Sequence, residues 1–477
     1  MMRTPIADFL KKYADSGITR FHMPGHKGKT FLGPELYDIT EVRGADSLYE
    51  ADGIIAESEE NASRLFGSGK TLYSAEGSSQ CIRAMVYLAA CESMRRTKSE
   101  ERPLFIAARN VHKAFIYGAA LADADVRWLY NEGEEDSLCA CHVKPETLDR
   151  ILSEEERTAA AVYITCPDYL GNMNDVKALA EVCHSHDTVL AVDNAHGAYL
   201  HFLKDKRHPL DLGADICCDS AHKTLPVITG GAYLHIGKNA PESFSQNARQ
   251  AMALFGSTSP SYLIMGSLDL CNEYLDQRAS AEFQACAERL SAFRKELTAK
   301  GWDVKMDTDP LRVTIREHDK DPEKRAAGIL REKGIECEYE DPEYTVLMIS
   351  PQNTEEEVKT AASALGTKET VSCDSADTAE QEAEESDPLK GGGTLTCSGL
   401  RLKQAVSIRE AVFAPSEMID VENSAGRICA SPVVACPPAV PVAVSGEIID
   451  EKAVRVFRRY GIRKVSCLFS DNFQKNL

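Results

Sequence analysis

The sequence lacks the features that would place the protein in a membrane or on nucleic acid. Its longest stretch without charge, residues 428–446, is interrupted by four prolines, whereas a membrane-spanning helix needs about 20 uninterrupted apolar residues. Basic residues are scarce, because 54 lysines and arginines stand against 74 aspartates and glutamates, a net charge of −20. This balance argues against a partner such as nucleic acid or an anionic membrane. It would suit a cationic small-molecule substrate, although most acidic proteins are simply soluble.

Cysteine usage and the N-terminal residues favour a reducing compartment. Sixteen cysteines in 477 residues are too few for a disulfide scaffold. Residues 1–17 contain no apolar segment of the length that a signal peptide needs, so we expect a cytoplasmic protein. Cys139-Ala140-Cys141-His142 has the residue types of a zinc site, but no second pair of cysteine or histidine residues lies at ligand spacing. We therefore expect no metal.

The segment from about residue 60 to 235 alternates helical patterns with short β-rich runs. Four of these runs are nearly continuous in apolar character, as expected of parallel strands that helices cover on both faces. They are residues 104–107, 161–165, 189–192 and 216–218. The pattern predicts a doubly wound α/β domain with a mostly parallel sheet, whose ligands bind at the loops that follow the carboxyl ends of the strands.

The composition changes along the rest of the chain. Residues 266–300 predict a long helix that leaves the large domain, and a small α+β pattern of short strands and helices follows. Residues 369–387 contain eight acidic residues and no basic one, which is typical of a solvated linker. We therefore expect an N-terminal arm (1–30), a large domain (31–265), a small domain (266–367), an acidic and glycine-rich linker (368–397) and a C-terminal α+β domain (398–477).

The strongest chemical signal is a lysine that directly follows a predicted strand, in Ser220-Ala221-His222-Lys223-Thr224. At a strand exit, beside small hydroxyl residues, a lysine can hold a cofactor aldehyde as a Schiff base if its pocket lowers its pKa. Thirty residues upstream, Asp193 ends another predicted strand, where it can pair with the pyridine nitrogen of pyridoxal phosphate and keep that nitrogen protonated. A surface lysine and a helix-capping aspartate are the alternatives, but the pair is far more specific than either residue alone.

Two further segments fit the same ligand. Residues 77–79 (GlySerSer) precede a helix that we expect to begin near Cys81, and the N-terminus of a helix offers free N–H groups to a phosphate. His112 follows the predicted strand 104–107, so its flat imidazole can stack on a planar cofactor ring. Each signal alone is weak, because serine before a helix is usually a cap and a loop histidine is usually unremarkable.

Taken in order, six motifs resemble those of the Orn/Lys/Arg decarboxylase family. They are PheHisMetProGlyHisLysGly at 21–28, GlySerSer at 77–79, ArgAsnValHisLys at 109–113, AspAsnAlaHisGly at 193–197, SerAlaHisLys at 220–223 and SerThrSerProSerTyr at 257–262. The resemblance runs from about residue 18 to 275 and resumes between residues 409 and 447. It implies a pyridoxal-phosphate enzyme of the aspartate-aminotransferase fold (fold type I), in the short form without an N-terminal response-regulator-like domain.

The resemblance also implies a role for each matching residue. Lys223 would form the Schiff base, Asp193 would pair with the pyridinium and His112 would stack on the ring. His196 would lie beside the ring substituents, and His222 or Lys223 would protonate the substrate Cα. The residues implied for the cofactor's phosphate are Ser79, Gln80 and Ser220, with Ser78 adjacent and Thr258 or Ser257 reaching it from the neighbouring subunit. Glu447 would face the substrate's distal cationic group.

The sequence departs from the family pattern at several positions. Gln80-Cys81 stand where relatives usually have smaller serine, threonine or glycine residues, and Asn194 replaces a frequent glutamate. Cys436 and Ala439 replace the usual tyrosine and glycine of a Tyr-Pro-Pro-Gly segment. These departures bear on substrate preference more than on chemistry, because the Schiff-base lysine and its acidic partner are both present.

The resemblance therefore predicts α-decarboxylation of a basic amino acid in polyamine biosynthesis. Arginine to agmatine is the first choice, followed by lysine to cadaverine and ornithine to putrescine. We expect a homodimer with shared active sites, able to assemble further, and no nucleic-acid or membrane partner. The alternatives are an aminotransferase or other lyase of the same fold, which should carry an arginine for the α-carboxylate late in the small domain, and a degenerate regulatory pseudoenzyme.

Overall fold

The computed structural model of the chain describes residues 2–98, 100–368, 400–435 and 439–469. The predicted linker from residue 369 onwards, Cys436 and the two prolines that follow it, and residues 470–477 lie outside these ranges. Among the described residues, no helix is long and apolar enough to cross a bilayer.

A seven-stranded sheet forms the centre of the large domain. Its strands are β1 (Lys70–Ser74), β2 (Leu104–Ala108), β3 (Asp125–Leu129), β4 (Ala161–Thr165), β5 (Leu190–Asp193), β6 (Ile216–Asp219) and β7 (Ala232–Ile236), in the order β1-β7-β6-β5-β4-β2-β3. Strands β6, β5, β4, β2 and β3 are parallel to one another, and β7 runs antiparallel to both β6 and β1. This topology confirms the predicted α/β fold with a mostly parallel sheet, and all four predicted strands are present.

Helices cover both faces of this sheet, as the nearly continuous apolar character of its strands requires. They are α1 (Pro5–Asp15), α2 (Ile54–Phe66), α3 (Ser78–Thr97), α4 (Lys113–Leu121), α5 (Pro145–Glu154), α6 (Val176–Ser185), α7 (Ala221–Thr224) and α8 (Glu242–Ala253). One apolar core joins the sheet to α3, α4 and α8, and another joins it to α5 and α6. The sheet therefore lies between two packed layers of helices. The loops that follow its strands, and the helix N-termini that these loops meet, lie at the edge of the sheet.

Two local predictions differ from the structure. Helix α3 begins at Ser78, three residues before the predicted start, because Gly77 adopts a φ of 71° and turns the chain into the helix at once. Strand β3 was not expected, since Asp125 and Arg127 interrupt its apolar character. It lies at an edge of the sheet and is half-buried, so it does not need the continuous apolar run of a central strand.

The small domain begins with a long helical stretch. Helices α9 (Tyr262–Tyr274) and α10 (Ser280–Ala299) are joined by a π-helical turn at Leu275–Ala279, and Ser261 caps the start of α9. The helix expected from residue 266 thus starts four residues earlier. Strands β8 (Asp303–Val304), β9 (Arg312–Arg316), β10 (Tyr339–Glu340) and β11 (Tyr344–Met348) form an antiparallel sheet in the order β10-β11-β9-β8, with α11 (Ala326–Glu332) and α12 (Glu355–Leu365).

Buried side chains of β9 attach the small domain to the loop after β4. Nη1 of Arg312 donates hydrogen bonds to the carbonyl oxygens of Asp168 (3.1 Å) and Tyr169 (2.6 Å). Oγ1 of Thr314 donates to the carbonyl oxygen of Leu170 at 2.9 Å. These contacts fix the loop against the small domain.

In its described residues, 400–435 and 439–469, the C-terminal segment contains two short antiparallel pairs and two helices. Its strands are β12 (Ser416–Asp420), β13 (Val433–Ala435), β14 (Val440–Ala443) and β15 (Lys464–Leu468), with β12 paired to β15 and β13 to β14. Its helices span Ile408–Phe413 and Glu451–Arg459. The backbone N–H of Lys113, the first residue of α4, donates to the carbonyl oxygen of Ala439 at 3.2 Å, so this segment reaches the strand exits of the large sheet.

Candidate active site

A cavity of about 190 Å³ lies at the carboxyl ends of β4, β5 and β6. Eight of the residues singled out in the sequence line it: Ser78, Ser79, His112, Asp193, His196, Ser220, His222 and Lys223. They come from four separate loops, which the parallel strands bring to one edge of the sheet.

Lys223 lies in the single turn of α7, directly after the buried strand β6. Its Nζ lies 3.0 Å from Nε2 of His196. Burial lowers the pKa of Lys223 below its ordinary value, and the nearby carboxylate of Asp193 opposes part of that effect. The pocket therefore provides the condition that a nucleophilic lysine needs, because a lower pKa makes the neutral amine more accessible.

Asp193 is the last residue of β5 and is almost completely buried. One carboxylate oxygen, Oδ1, accepts hydrogen bonds from the backbone N–H of Ala195 at 3.1 Å and from Sγ of Cys218 at 3.6 Å. Burial raises the pKa of Asp193, whereas the charge of Lys223 lowers it. A buried carboxylate with a cationic neighbour suits a protonated ring nitrogen.

His196 connects the lysine to a tyrosine that sequence analysis missed. Burial, followed by the charge of Lys223, holds the pKa of His196 well below its ordinary value, so the imidazole is neutral. Its Nδ1 is buried and has no hydrogen-bond partner among the described residues. The ring of Tyr169 meets the imidazole edge-on, with the ring centres 5.0 Å apart.

His112 stands at the N-terminus of α4, where its Nδ1 accepts a hydrogen bond from the backbone N–H of Ala114 at 3.1 Å. Burial and the charge of Lys223 lower the pKa of His112 to about 4. The ring is therefore neutral near pH 7, and the hydrogen bond to the helix fixes its orientation. A fixed, neutral imidazole suits stacking against a planar ring.

Hydroxyl groups and a helix N-terminus form the other end of the cavity. Oγ of Ser220 donates to Oγ of Ser78 at 2.7 Å, and Ser79 lies beside them in the first turn of α3. The backbone N–H groups at the start of this 20-residue helix point toward the same region. Together they form an anion site of the kind that holds a phosphate.

His222 lines the cavity next to Lys223. Its Nδ1 lies 2.9 Å from the carbonyl oxygen of Gly231, so this nitrogen carries the hydrogen. Burial lowers the pKa of His222, and the Gly231 carbonyl partly opposes the effect. The free Nε2 therefore belongs to a neutral ring near pH 7.

Three predicted residues do not line the cavity. The buried amide of Gln80 is occupied elsewhere, because Oε1 accepts from Ser74 (2.6 Å) and Nε2 donates to Tyr49 and to the carbonyl oxygen of Met252 (both 2.8 Å). Thr258 is exposed in the loop before α9, as a residue directed at a neighbouring subunit would be. The role of each toward the cofactor stays a prediction.

Glu447 is the third residue that the structure does not bring to the cavity. It is 1% exposed, and its Oε2 accepts hydrogen bonds from Nη2 of Arg109 at 3.2 Å and from the backbone N–H of Val444 at 2.7 Å. Glu447 thus already forms an ion pair with Arg109 of the same chain. The contact between Glu447 and the distal cation of the substrate stays a prediction.

Several lining residues were not identified from the sequence: Asn110, Cys139, Thr165, Tyr169 and Val440. Thr165 ends β4, so the strand-exit rule that located Asp193 applies to it as well. Tyr169 follows four residues later and carries no local signal. Val440 begins β14 in the segment where the sequence departs from the family pattern.

The donor set fits pyridoxal phosphate. Lys223 offers an amine for the aldehyde, and Asp193 offers a buried carboxylate for the pyridine nitrogen. The hydroxyls at the start of α3 offer donors for the phosphate, and the unpartnered Nδ1 of His196 leaves a buried polar atom for a ring substituent. No other cofactor class requires this combination of groups around one lysine.

Comparisons with known proteins agree with this chemistry. A family model described as Orn/Lys/Arg decarboxylase, major domain, matches residues 4–318, and one described as Orn/Lys/Arg decarboxylase, C-terminal domain, matches residues 398–460. An uncharacterized protein of Bacillus subtilis is 28% identical over 96% of this chain and 94% of its own length. A Bacillus subtilis protein named arginine decarboxylase is 26% identical over 94% of this chain and 92% of its own.

Solved structures show the same fold. The lysine decarboxylase of Francisella novicida superposes with a TM-score of 0.76 over 98% of this chain and 81% of its own, at 16% identity. The constitutive lysine decarboxylase of Escherichia coli gives a TM-score of 0.75 over 98% of this chain and 82% of its own, at 17% identity.

Proposed function

Because the chain belongs to the Orn/Lys/Arg decarboxylase family, we propose that it removes the α-carboxyl group of arginine to give agmatine and carbon dioxide. Family membership confirms the predicted class, a pyridoxal-phosphate-dependent decarboxylase of basic amino acids. The aminotransferase and the pseudoenzyme are the alternatives that an activity assay tests. Arginine is favoured because relatives from Bacillus anthracis and Bacillus subtilis bear the name arginine decarboxylase, and lysine and ornithine are the alternatives. Agmatine would serve as a polyamine precursor.

The observation that carries this proposal is the meeting of Lys223, Asp193 and His196 in one cavity. When bound, pyridoxal phosphate accepts the electron pair that remains when the carboxyl group leaves as carbon dioxide. Asp193 would help the cofactor to take up this electron pair, because its buried carboxylate would stabilise a proton on the ring nitrogen. His112, which is fixed at the N-terminus of α4, would stack against the ring.

Lys223 has two tasks in the proposed reaction. It holds the cofactor aldehyde at rest, for which its amine must be neutral, and burial favours that state. Once carbon dioxide has left, Lys223 or the adjacent His222 would deliver a proton to the substrate Cα. Both side chains line the cavity, so either can reach the reacting carbon.

The lining of the cavity supports departure of the carboxylate. Among the described residues that line it, Lys223 is the only lysine or arginine. Arg312 lines a neighbouring cavity of about 80 Å³ on the small-domain side of Lys223; its Nη1 is bound to two backbone carbonyls, and its Nη2 lies 3.6 Å from a carboxylate oxygen of Asp309. A loosely held carboxylate favours decarboxylation over transamination, because tight ground-state binding raises the barrier to its loss.

An amino-acid panel tests the proposal. The holoenzyme is incubated with arginine, lysine and ornithine, and both carbon dioxide and keto acid are measured. We expect carbon dioxide from all productive substrates and the highest kcat/KM for arginine. Keto acid without carbon dioxide would refute the proposed chemistry, whereas a higher kcat/KM for lysine or ornithine would change only the substrate.

We also propose that the working unit is a homodimer. Several large apolar side chains between residues 21 and 32 are almost fully exposed in one chain, among them Phe21 (95%), Phe31 (86%) and Leu32 (82%). Exposed apolar patches of this kind mark protein contacts. The exposed loop at residues 257–259 carries the hydroxyls that would reach the phosphate of the second subunit, and a two-fold axis would make the contact reciprocal.

A further inference from the structure

A basic amino acid carries a distal cation, and the cavity itself offers little to receive it. Among the described lining residues, Asp193 is the only carboxylate, and it faces the position of the cofactor ring. Glu447 is buried against Arg109 outside the cavity. A carboxylate elsewhere on the rim would add to the recognition of the distal group.

Glu338 occupies such a place at the start of the small-domain sheet. Its Oε1 accepts a hydrogen bond from the hydroxyl of Tyr169 at 2.6 Å. Tyr169 lines the cavity and packs against His196, whose Nε2 lies 3.0 Å from Nζ of Lys223. A continuous line of contacts thus connects the carboxylate of Glu338 to the reacting lysine.

The charge of Glu338 is available to a ligand. Its side chain is exposed, and no lysine, arginine or histidine forms an ion pair with it among the residues that the structure describes. Burial and the hydrogen bond to Glu338 raise the pKa of Tyr169, so the phenol is the donor of this hydrogen bond. The second carboxylate oxygen, Oε2, receives no hydrogen bond in the part of the chain that the structure describes.

The surroundings of Glu338 suit an aliphatic chain that ends in a cation. Glu338 borders a cleft of about 620 Å³ between β11 and α12, whose lining contains Leu347 and Met348 but no described lysine or arginine. Met348 also lines the small cavity beside Lys223. Apolar walls with acidic groups at one end repel anionic side chains and accept cationic ones.

From these contacts we infer that Glu338 binds the distal cationic group of the substrate and thereby selects basic amino acids. The inference rests on the proposed function, because it assumes a substrate with such a group. Arg312 fixes the backbone of Tyr169, so the carboxylate is presented from a rim that is already in place. A charge-assisted hydrogen bond of this kind changes affinity by about ten- to a hundredfold.

The variant Glu338→Gln tests the inference in the holoenzyme. Glutamine keeps an oxygen that accepts the Tyr169 hydroxyl but removes the charge, so the rim keeps its geometry. We expect KM for arginine, lysine or ornithine to rise about tenfold or more, with kcat changed far less. Inhibition constants of the uncharged analogues citrulline and norleucine should stay at the wild-type values.

Glu336→Gln is the matched control, because Glu336 lines the same cleft two residues away without contacting Tyr169. Its KM should equal that of the wild type. Equal KM values in Glu338→Gln and Glu336→Gln, or an equal loss of affinity for citrulline and arginine, would overturn the inference alone. A wild-type enzyme that releases no carbon dioxide from any of the three basic amino acids would overturn the proposed function and the inference together.

Discussion

The side-chain amide of Asn194 donates a hydrogen bond to Oδ1 of Asp219 at 2.6 Å, deep beneath the active site. Asn194 follows Asp193, and Asp219 precedes Ser220, so this bond joins the ends of two neighbouring strands that both carry functional residues. His208 and His235 complete the arrangement, because their Nε2 atoms lie 3.0 and 3.2 Å from Oδ2 of Asp219. Although burial acts in the opposite direction, the two histidines hold the pKa of Asp219 well below its usual range.

Asp219→Asn should destabilise the protein strongly. The substitution removes a carboxylate oxygen that the buried Nε2 atoms of His208 and His235 share, and leaving a buried polar group unsatisfied costs about 1–3 kcal/mol. The free energy of unfolding, measured with urea on the holoenzyme, should fall by about that amount. Asp205→Asn is the control, since its ion pair with Arg207 is exposed and is worth about 1 kcal/mol or less. A loss no larger than that of the control would show that the network does not support the strand ends.

Lys223→Ala should abolish turnover and the visible absorbance band of the lysine-bound cofactor. The fold should persist, because the only hydrogen bond of the Lys223 ammonium among the described residues is the one to His196. Absorbance, circular dichroism and carbon dioxide release measure the three quantities separately. The control is Lys204→Ala, an exposed lysine away from the cavity. More than a trace of activity in Lys223→Ala would remove this residue from its assigned role.

Asp193→Asn should keep the cofactor but lose most of the rate. An amide cannot hold a proton on the ring nitrogen, and the loss of one preorganised electrostatic contact typically lowers kcat by about 10²–10³-fold. Cofactor content and kcat are measured on the same preparation. Asp175→Asn, at the exposed cap of α6, should match the wild type, because asparagine caps helices equally well. An unchanged rate in Asp193→Asn would contradict the proposed support of the ring.

The low pKa of His112 predicts a loss of stability in acid. In the folded chain this pKa is about 4, compared with an ordinary value of 6.5, so the unfolded chain takes up the proton first as the pH falls. The folded state therefore loses stability between about pH 6.5 and pH 4, by at most about 1.4 kcal/mol per pH unit from this group. The apo-protein variant His112→Gln should show a smaller loss between pH 7 and pH 5 in urea unfolding. Parallel losses in both proteins would contradict this assignment.

Subunit mixing tests the shared active site. Lys223→Ala and Thr258→Trp chains should each be inactive alone, because one lacks the lysine and the other blocks the neighbour's phosphate. In a mixed dimer, one site combines an intact lysine with an intact Thr258, so activity should partly recover on mixing. Each variant mixed with itself provides the baseline. A fully active wild-type monomer at the assay concentration would contradict the shared site.

The sequence was sufficient to predict which residues of the strand exits meet in one cavity. Lys223, Asp193 and His112 each come directly after a nearly continuous apolar run, and parallel strands necessarily bring such exits together. The buried amide of Gln80 illustrates what this logic misses, because its contact with the Met252 carbonyl joins residues 172 positions apart. The contact between Tyr169 and Glu338 joins residues 169 positions apart in two different domains, so no local sequence pattern predicts it.

The contacts of β9 with the loop after β4 also determine how the protein can move. Arg312 and Thr314 are 1% and 0% exposed, and together they make three hydrogen bonds to carbonyl oxygens of that loop. A hinge between β9 and this loop would have to break all three hydrogen bonds, at about 1 kcal/mol each. It would also leave the buried guanidinium of Arg312 without its backbone acceptors. We therefore expect the large and small domains to move as one rigid body here, with any closure over the substrate confined to side chains and to the neighbouring subunit.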